Sequence, residues 1–199
     1  MILLSQYNWV IIINGSNPMK TFEIIIVGAG PAGAIAGYHL ARAGMAVCLI
    51  DKSHFPRRKV CGGGLSQHAL SELPFDVSSV IHQTVDWGQV RFRGRPVKTI
   101  YDSKPIAYMI DRSSFDALLL DQALTQGADL KSGERVKWIS QREDHILVET
   151  NRDSYRCRYL VGADGVHSIV SHQSGLLKKR PTSLAYEALL TRHTNSKYN

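Results

Sequence analysis

The chain has 199 residues, 44% of them hydrophobic, and 24 Lys and Arg against 17 Asp and Glu give it a net charge of +7. That is enough length and apolar content to bury one core with a small second lobe, and with no repeat or low-complexity run it excludes a solenoid or a disordered chain. Cys48, Cys61 and Cys157 are odd in number and show no CxxC spacing, which excludes a disulfide framework and a zinc site and suits a reducing, cytoplasmic compartment.

The positive excess favours anionic partners. Apart from Arg57-Arg58-Lys59 and Lys178-Lys179-Arg180, however, the cations are scattered, so a solvated basic face around a phosphate-bearing ligand fits better than a nucleic-acid surface. Trp9–Ile13 is the longest apolar stretch near the start, far below the ~20 residues a bilayer needs. It also lacks the flanks of a signal peptide. Met19-Lys20 directly precedes the first strand, so translation is expected to start at Met19, leaving residues 1–18 as an extension.

In chain order, Glu-Ile-Ile-Ile-Val over 23–27 predicts a strand buried on both faces of a parallel sheet. Gly28-Ala-Gly-Pro-Ala-Gly33 leads into a helix to about Ala43, with Pro31 in the first turn and Gly44 just past the end. Val47–Ile50 is a second buried strand closed by Asp51, completing a β-α-β unit of about 30 residues. A long loop from Lys52 through Gly64 and a short helix around 66–73 follow. Alternating stretches between Thr84 and Ile110, such as Gln89–Arg93, predict short antiparallel strands. Ser113 opens the next helix with Asp116 as its capping-box partner; Phe115, Leu118, Leu119 and Ala123 form its apolar face, and Gly127 ends it. Strands are expected at 135–140, 145–150 and 155–161. The turn Gly162-Ala-Asp-Gly165 then leads to a short helix over 166–173, and one more strand is expected at 184–192.

Gly28-x-Gly30-x-x-Gly33 is the strongest chemical signal, because a buried strand precedes it, a helix follows it and an acid ends the next strand. Gly28 permits the tight turn, Gly30 lets backbone approach a pyrophosphate, and Gly33 lets helix and sheet pack closely. The helix N-terminus offers unpaired N–H groups to phosphates. Asp51, near the ~20-residue spacing expected after the first glycine, would accept hydrogen bonds from an adenosine ribose. NAD and FAD sites share this loop, so the loop leaves the dinucleotide open. The eight histidines show no metal-ligand spacing. His167 and His172 read as surface residues, and Cys48 and Cys157 as core.

Three further segments occur in order: Phe55-Pro-Arg-Arg-Lys-Val-Cys-Gly-Gly-Gly64, Asp111-Arg112 ahead of a helix ending at Gly127-Ala128, and Tyr159-Leu-Val-Gly-Ala-Asp-Gly165. With the glycine loop they resemble the geranylgeranyl reductase family, within the flavoproteins similar to p-hydroxybenzoate hydroxylase, over about Lys20 to Arg192. The resemblance implies an α/β fold: a Rossmann-like FAD-binding parallel sheet with helices, plus a partial antiparallel β substrate lobe. It implies an FAD-binding domain over 19–181, with 84–110 belonging to that lobe, and the start of a truncated substrate domain at 182–199. FAD is the implied cofactor and NAD(P)H the reductant. The implied cofactor-binding residues are Gly28, Gly30, Pro31, Ala32, Gly33, Asp51, Lys52, Arg58, Cys61, Gly62, Gly63, Arg112, Val136, Asp164 and Gly165. Among these, Arg112 would approach the FAD ribose or pyrophosphate, Asp164 would organise the cleft, and Cys61–Gly64 would lie beside the isoalloxazine. Each has a plainer reading: Arg112 as a solvated residue before a helix, Asp164 as a turn former, Cys61 as a small filler.

The activity so implied is flavin-mediated reduction of isoprenoid double bonds, with no catalytic acid identified and no metal. A flavin-dependent monooxygenase or halogenase and an inactive FAD-binding fragment are the rivals; a plain NAD-binding module leaves Phe55–Gly64 and the Asp-Gly turn unexplained. The expected partners are a small-molecule or prenyl-lipid substrate, no nucleic acid, peripheral membrane contact where that substrate is a lipid, and a complementing polypeptide if a separate chain completes the fold. A Gly-Asp-Ala-Ala-type segment found later in such flavoproteins does not occur in this sequence.

Overall fold

A computed structural model describes residues 19–95, 97–176 and 185–188. The central sheet is built from β1 (Lys20–Val27), β2 (Val47–Asp51), β8 (Asp129–Ser132), β9 (Val136–Gln141), β10 (Ile146–Thr150) and β11 (Ser154–Gly162). Their spatial order is β8-β2-β1-β11-β10-β9. The first four of these run parallel, and β10 pairs antiparallel with both β11 and β9.

The β-branched run of β1 is explained by two-sided burial. Ile24 and Ile26 enter one core with Val47 and Leu49, whereas Ile25 and Val27 enter the other with Cys48 and Ile50. The first core is closed by α1 (Pro31–Arg42) and α3 (Arg112–Thr125), through Ala34, Tyr38, Ala41, Phe115, Leu119 and Ala123. The second is closed by Val136, Val148, Tyr155, Cys157 and, from the short α4 (Ile169–Gln173), Val170. Burial at 5% exposure or less for all of Ile24–Val27 and Val47–Ile50 makes this unit the stability centre of the chain.

The remaining strands form small antiparallel pieces. β3 (Gly64–Ser66), β7 (Ala107–Ile110) and β4 (Ile81–Val85) make a three-stranded sheet, while β5 (Trp87–Val90) and β6 (Lys98–Tyr101) make an isolated ribbon. A five-residue helix, α2 (Gln67–Ser71), follows β3 and is capped by the Ser66 hydroxyl, which accepts from Ala69 N–H.

The expected α/β sheet with an antiparallel lobe is present, with local corrections. The long helix starts at Arg112, and its cap is Asp111, whose carboxylate accepts from the N–H groups of Ser113 and Ser114. Asp116 is therefore not a capping partner; it is completely buried and ion-paired. The expected strand Gln89–Arg93 is instead β5, ending at Val90. Asp129–Ser132 was not expected as a strand because Asp-Leu-Lys-Ser lacks β propensity; parallel pairing to β2 imposes it. Between Ile169 and Gln173 the helix expected over 166–173 is regular, and a 3₁₀ turn at Gly165–His167 precedes it. Residues 1–18 lie outside the described residues, as does most of the strand expected at 184–192; residues 185–188 carry no regular structure.

Candidate functional site: a dinucleotide cradle

The chain order makes β1 a branching point. From β1 the chain passes through α1 to β2 on one side, and β11 returns to the other side much later. Open α/β sheets bind ligands outside the carboxyl ends of their strands at such a switch point. Here the carboxyl ends of β1 and β11 carry Gly28–Gly33 and Gly162–Gly165.

These two turns are in direct contact. Gly28 has φ +98°, and a Cβ built on it would lie 2.4 Å from the carbonyl oxygen of Ala163 and 2.9 Å from Asp164 Cα. A Cβ on Gly33 would meet the Gly28 carbonyl oxygen at 1.8 Å, so no other residue fits at the start of α1 without moving backbone. Gly28 N–H donates to the Ile50 carbonyl and Ala163 N–H to the Val27 carbonyl, both at 2.8 Å, which ties the loop to strands on either side.

At the end of β2, Asp51 accepts from Ala29 N–H through Oδ2 and from Ser53 N–H through Oδ1, each at 2.8 Å. Each oxygen retains a lone pair, so the carboxylate is oriented beside the glycine loop while still able to accept from a hydroxyl. Beside it, Glu134 N–H donates to the Asp51 carbonyl, and the buried Glu134 carboxylate accepts from the Tyr155 and Thr150 hydroxyls. Burial, then the Glu134 bond, push the Tyr155 hydroxyl well above its ordinary pKa.

Asp164 serves its own turn: Oδ1 accepts from the Ser168 hydroxyl at 2.5 Å and Oδ2 from Ile169 N–H at 2.6 Å. It thereby organises a cavity of about 920 Å³ lined by Ala32, residues 162–169, Ser171 and His172. A second, smaller cavity of about 290 Å³ collects Arg58, Cys61, Gly62, Gly63 and Arg112 together with Lys59 and Glu187. The structure thus gathers the expected residues into two groups. Gly28, Gly30, Pro31, Ala32, Gly33, Asp51, Asp164 and Gly165 surround the switch point; Arg58, Cys61, Gly62, Gly63 and Arg112 line the smaller cavity. Lys52 is exposed just past β2, and the Val136 side chain is packed into the second core, leaving only its backbone for a ligand.

The two groups are linked by residues that the sequence reading missed. Asp116, with no exposed side-chain surface, receives Arg112 Nε at 2.7 Å and Nη2 at 2.9 Å, and Arg57 Nη2 at 3.2 Å. Arg57 Nη2 also lies 3.3 Å from where a Gly30 Cβ would be, and its guanidinium sits 4.9 Å from the Phe55 ring centroid. A signal for Asp116 existed: it shares the buried stripe of α3 with Leu119, Leu120 and Ala123, where a carboxylate needs a partner, and Arg112 is four residues earlier. Gly63 N–H, followed by Arg112, pulls the Cys61 thiol below its ordinary pKa. Burial raises Cys48 to about 12 and Cys157 to about 11, consistent with core roles. His167 and His172 are exposed. Among the described residues, no group of His, Cys, Asp and Glu is arranged to hold a metal, and no helix is long and apolar enough to cross a membrane.

A glycine loop on a β-α-β unit, an oriented acid on the next strand and a switch point lined by backbone N–H groups define a Rossmann-like dinucleotide-binding protein. Comparison with known proteins narrows the class. Residues 21–191 match the family described as FAD binding domain, and the chain belongs to it.

An uncharacterized protein of Methanosarcina barkeri is 32% identical over 85% of this chain and 44% of its own length. Protein FixC of Escherichia coli K12 is 33% identical over 82% of this chain and 41% of its own. The chain thus spans less than half the length of these curated relatives. Among solved structures, a geranylgeranyl bacteriochlorophyll reductase-like protein of Thermoplasma acidophilum superposes with TM-score 0.71 at 23% identity, over 79% of this chain and 42% of that one. Halogenase PltM with phloroglucinol and FAD superposes with TM-score 0.62 at 21% identity, over 77% and 36%. At those identities the superpositions speak for the fold.

Proposed function

We propose that this chain holds FAD for a geranylgeranyl reductase-like enzyme, in which NAD(P)H supplies electrons for reducing an isoprenoid carbon–carbon double bond. The observation that carries the FAD part is the contact of the Gly28–Gly33 loop with the Ala163–Asp164 turn, beside the oriented Asp51. The cradle fits a dinucleotide because a Cβ on Gly33 would strike backbone, while, among the described residues, the approach to Gly30 is bordered only by the Arg57 guanidinium. The likeness to the geranylgeranyl bacteriochlorophyll reductase-like protein of Thermoplasma acidophilum and the Phe55–Gly64 segment support the reductase reading.

When bound, FAD supplies the hydride chemistry. Gly30 and the first turn of α1 bind its pyrophosphate through backbone N–H groups, and Asp51 accepts from its ribose. Arg57 and Arg112 set a positive charge beside the phosphates. Cys61–Gly63 border the ring end of the cradle, where, among the described residues, Gly62 has nothing within 4 Å of its missing Cβ and leaves room for a flat ligand. Residues 19–181 form the FAD-binding domain, with 84–110 contributing to a substrate lobe.

The similarity to halogenases favours a second reading in which the reduced cofactor meets oxygen. An absorption spectrum before and after adding FAD and desalting tests the first step: retained flavin bands are expected, and colourless protein rejects cofactor binding by this chain. Anaerobic bleaching by NADPH or NADH followed by reoxidation with a prenyl substrate is the reductase outcome. Product formation that requires oxygen is the halogenase or monooxygenase outcome.

A further inference from the structure

We infer that Asp116 is a positioning residue that sets the relation between the phosphate end and the ring end of the cradle, a role that rests on the FAD reading above. A carboxylate with no exposed surface is stable only when its oxygens are paired. Asp116 is paired twice, and its two partners lead to different loops. Arg112 grips both oxygens as a fork and lines the smaller cavity together with Cys61, Gly62 and Gly63. Arg57 meets Oδ2, lies against Phe55 and borders Gly30 in the glycine loop.

The charge balance suits the ligand. Two guanidiniums within reach of each other repel unless an anion lies between them. One carboxylate holds them together and leaves a net single positive charge facing the cradle, where a pyrophosphate is expected. Without it, the flexible arginine side chains lose their common anchor, and the two ends of the cradle lose their coupling. Asp116 touches neither cofactor nor substrate in this scheme; it acts through Arg57 and Arg112. Its site on rigid α3, among Leu119, Leu120 and Ala123, gives both arginines a fixed reference.

The test uses the full 199-residue chain, with FAD as the probe and the Arg112 Nε–Hε resonance as a ligand-free readout. Asp116→Asn keeps the shape and removes the charge. Wild-type protein should show a slowly exchanging, shifted Hε signal from Arg112, whose Nε donates to Asp116 Oδ1, and that signal should be lost in the variant. FAD affinity should fall by at least about ten-fold, the scale of one charge-assisted hydrogen bond. Asp116→Glu should recover part of that loss.

If Asp116→Asn does not fold, Arg57→Lys and Arg112→Lys decide the matter. Each keeps its charge but loses its guanidinium geometry on Asp116, the fork of Arg112 or the Nη2 contact of Arg57, and each should weaken FAD binding by a similar factor. A folded Asp116→Asn variant with unchanged affinity and an unchanged Hε signal overturns the inference, as do Lys variants that bind FAD like wild type. Should wild-type protein bind no FAD, the cofactor reading fails separately. The Hε signal then decides the role of Asp116 alone: its loss in Asp116→Asn upholds that role and its persistence overturns it.

Discussion

The six-stranded sheet and the β5–β6 ribbon carry similar hydrophobic residues and place them differently. In β1, neighbouring isoleucines enter two separate cores and none is more than 4% exposed. In the ribbon, Trp87 lies opposite Tyr101 and Val90 opposite Lys98. Trp87 is 61% exposed, Tyr101 78%, and Val90, on the other face, 53%. The residues of β1 are buried because α1, α3 and α4 cover its sheet; the ribbon has no comparable cover among the described residues. Apolar alternation states which side chains want cover, and only packing supplies it. A lone two-stranded ribbon is marginal in water.

This contrast makes graded predictions. The largest effect is expected in the sheet: Gly33→Ala puts a methyl group into the Gly28 carbonyl, and should lower unfolding free energy by about 3 kcal/mol or more. A urea midpoint equal to wild type would show that the loop can yield. The two core thiols come next. Their folded pKa values lie above the unfolded value near 9, at about 12 for Cys48 and about 11 for Cys157. Their contribution is thus complete below pH 9 and lost as pH rises toward those values. By pH 10 the two together should cost about 3 kcal/mol, at about 1.4 kcal/mol per unit each. Cys48→Ala with Cys157→Ala should flatten that alkaline limb. In native protein at pH 8 a thiol reagent should label Cys61, whose pKa is lowered, and spare the other two until urea exposes them.

Glu134→Ala should cost about 2 kcal/mol by chemical denaturation, since it strands the buried Tyr155 hydroxyl and frees Thr150. The smallest effect belongs to the ribbon. Trp87→Ser and Tyr101→Ser should each change stability by no more than about 0.5 kcal/mol, and ribbon amides should exchange far faster than those of β1. A larger penalty would mean that something covers the ribbon in solution.

Where local chemistry and tertiary demand agree, the reading from sequence was accurate. The β1–α1–β2 unit, the cap-to-Gly44 helix and the three strands between 135 and 162 fall where periodicity puts them, within a residue or two at most ends. Expectation failed at Asp129–Ser132, a polar segment that becomes a strand only because β2 offers an edge. It failed again at Asp116, whose position three residues after Ser113 imitates a capping box while Asp111 does the capping. The candidate site was legible residue by residue at the glycine loop, Asp51 and the Asp-Gly turn. Arg57 was passed over for Arg58, because adjacent arginines are equivalent in sequence until backbone direction sends one to Asp116 and leaves the other 67% exposed.

The sequence alone therefore determined the nucleotide-binding unit, since a tight turn, a helix start and a buried strand are each specified by residues close together in the chain. Tertiary structure decided which distant turns meet: Gly28 with Ala163, and Arg57 with Asp116 and Arg112. Such contacts depend on strand order and on which carboxylate lacks water, and neither is encoded in any short stretch of residues.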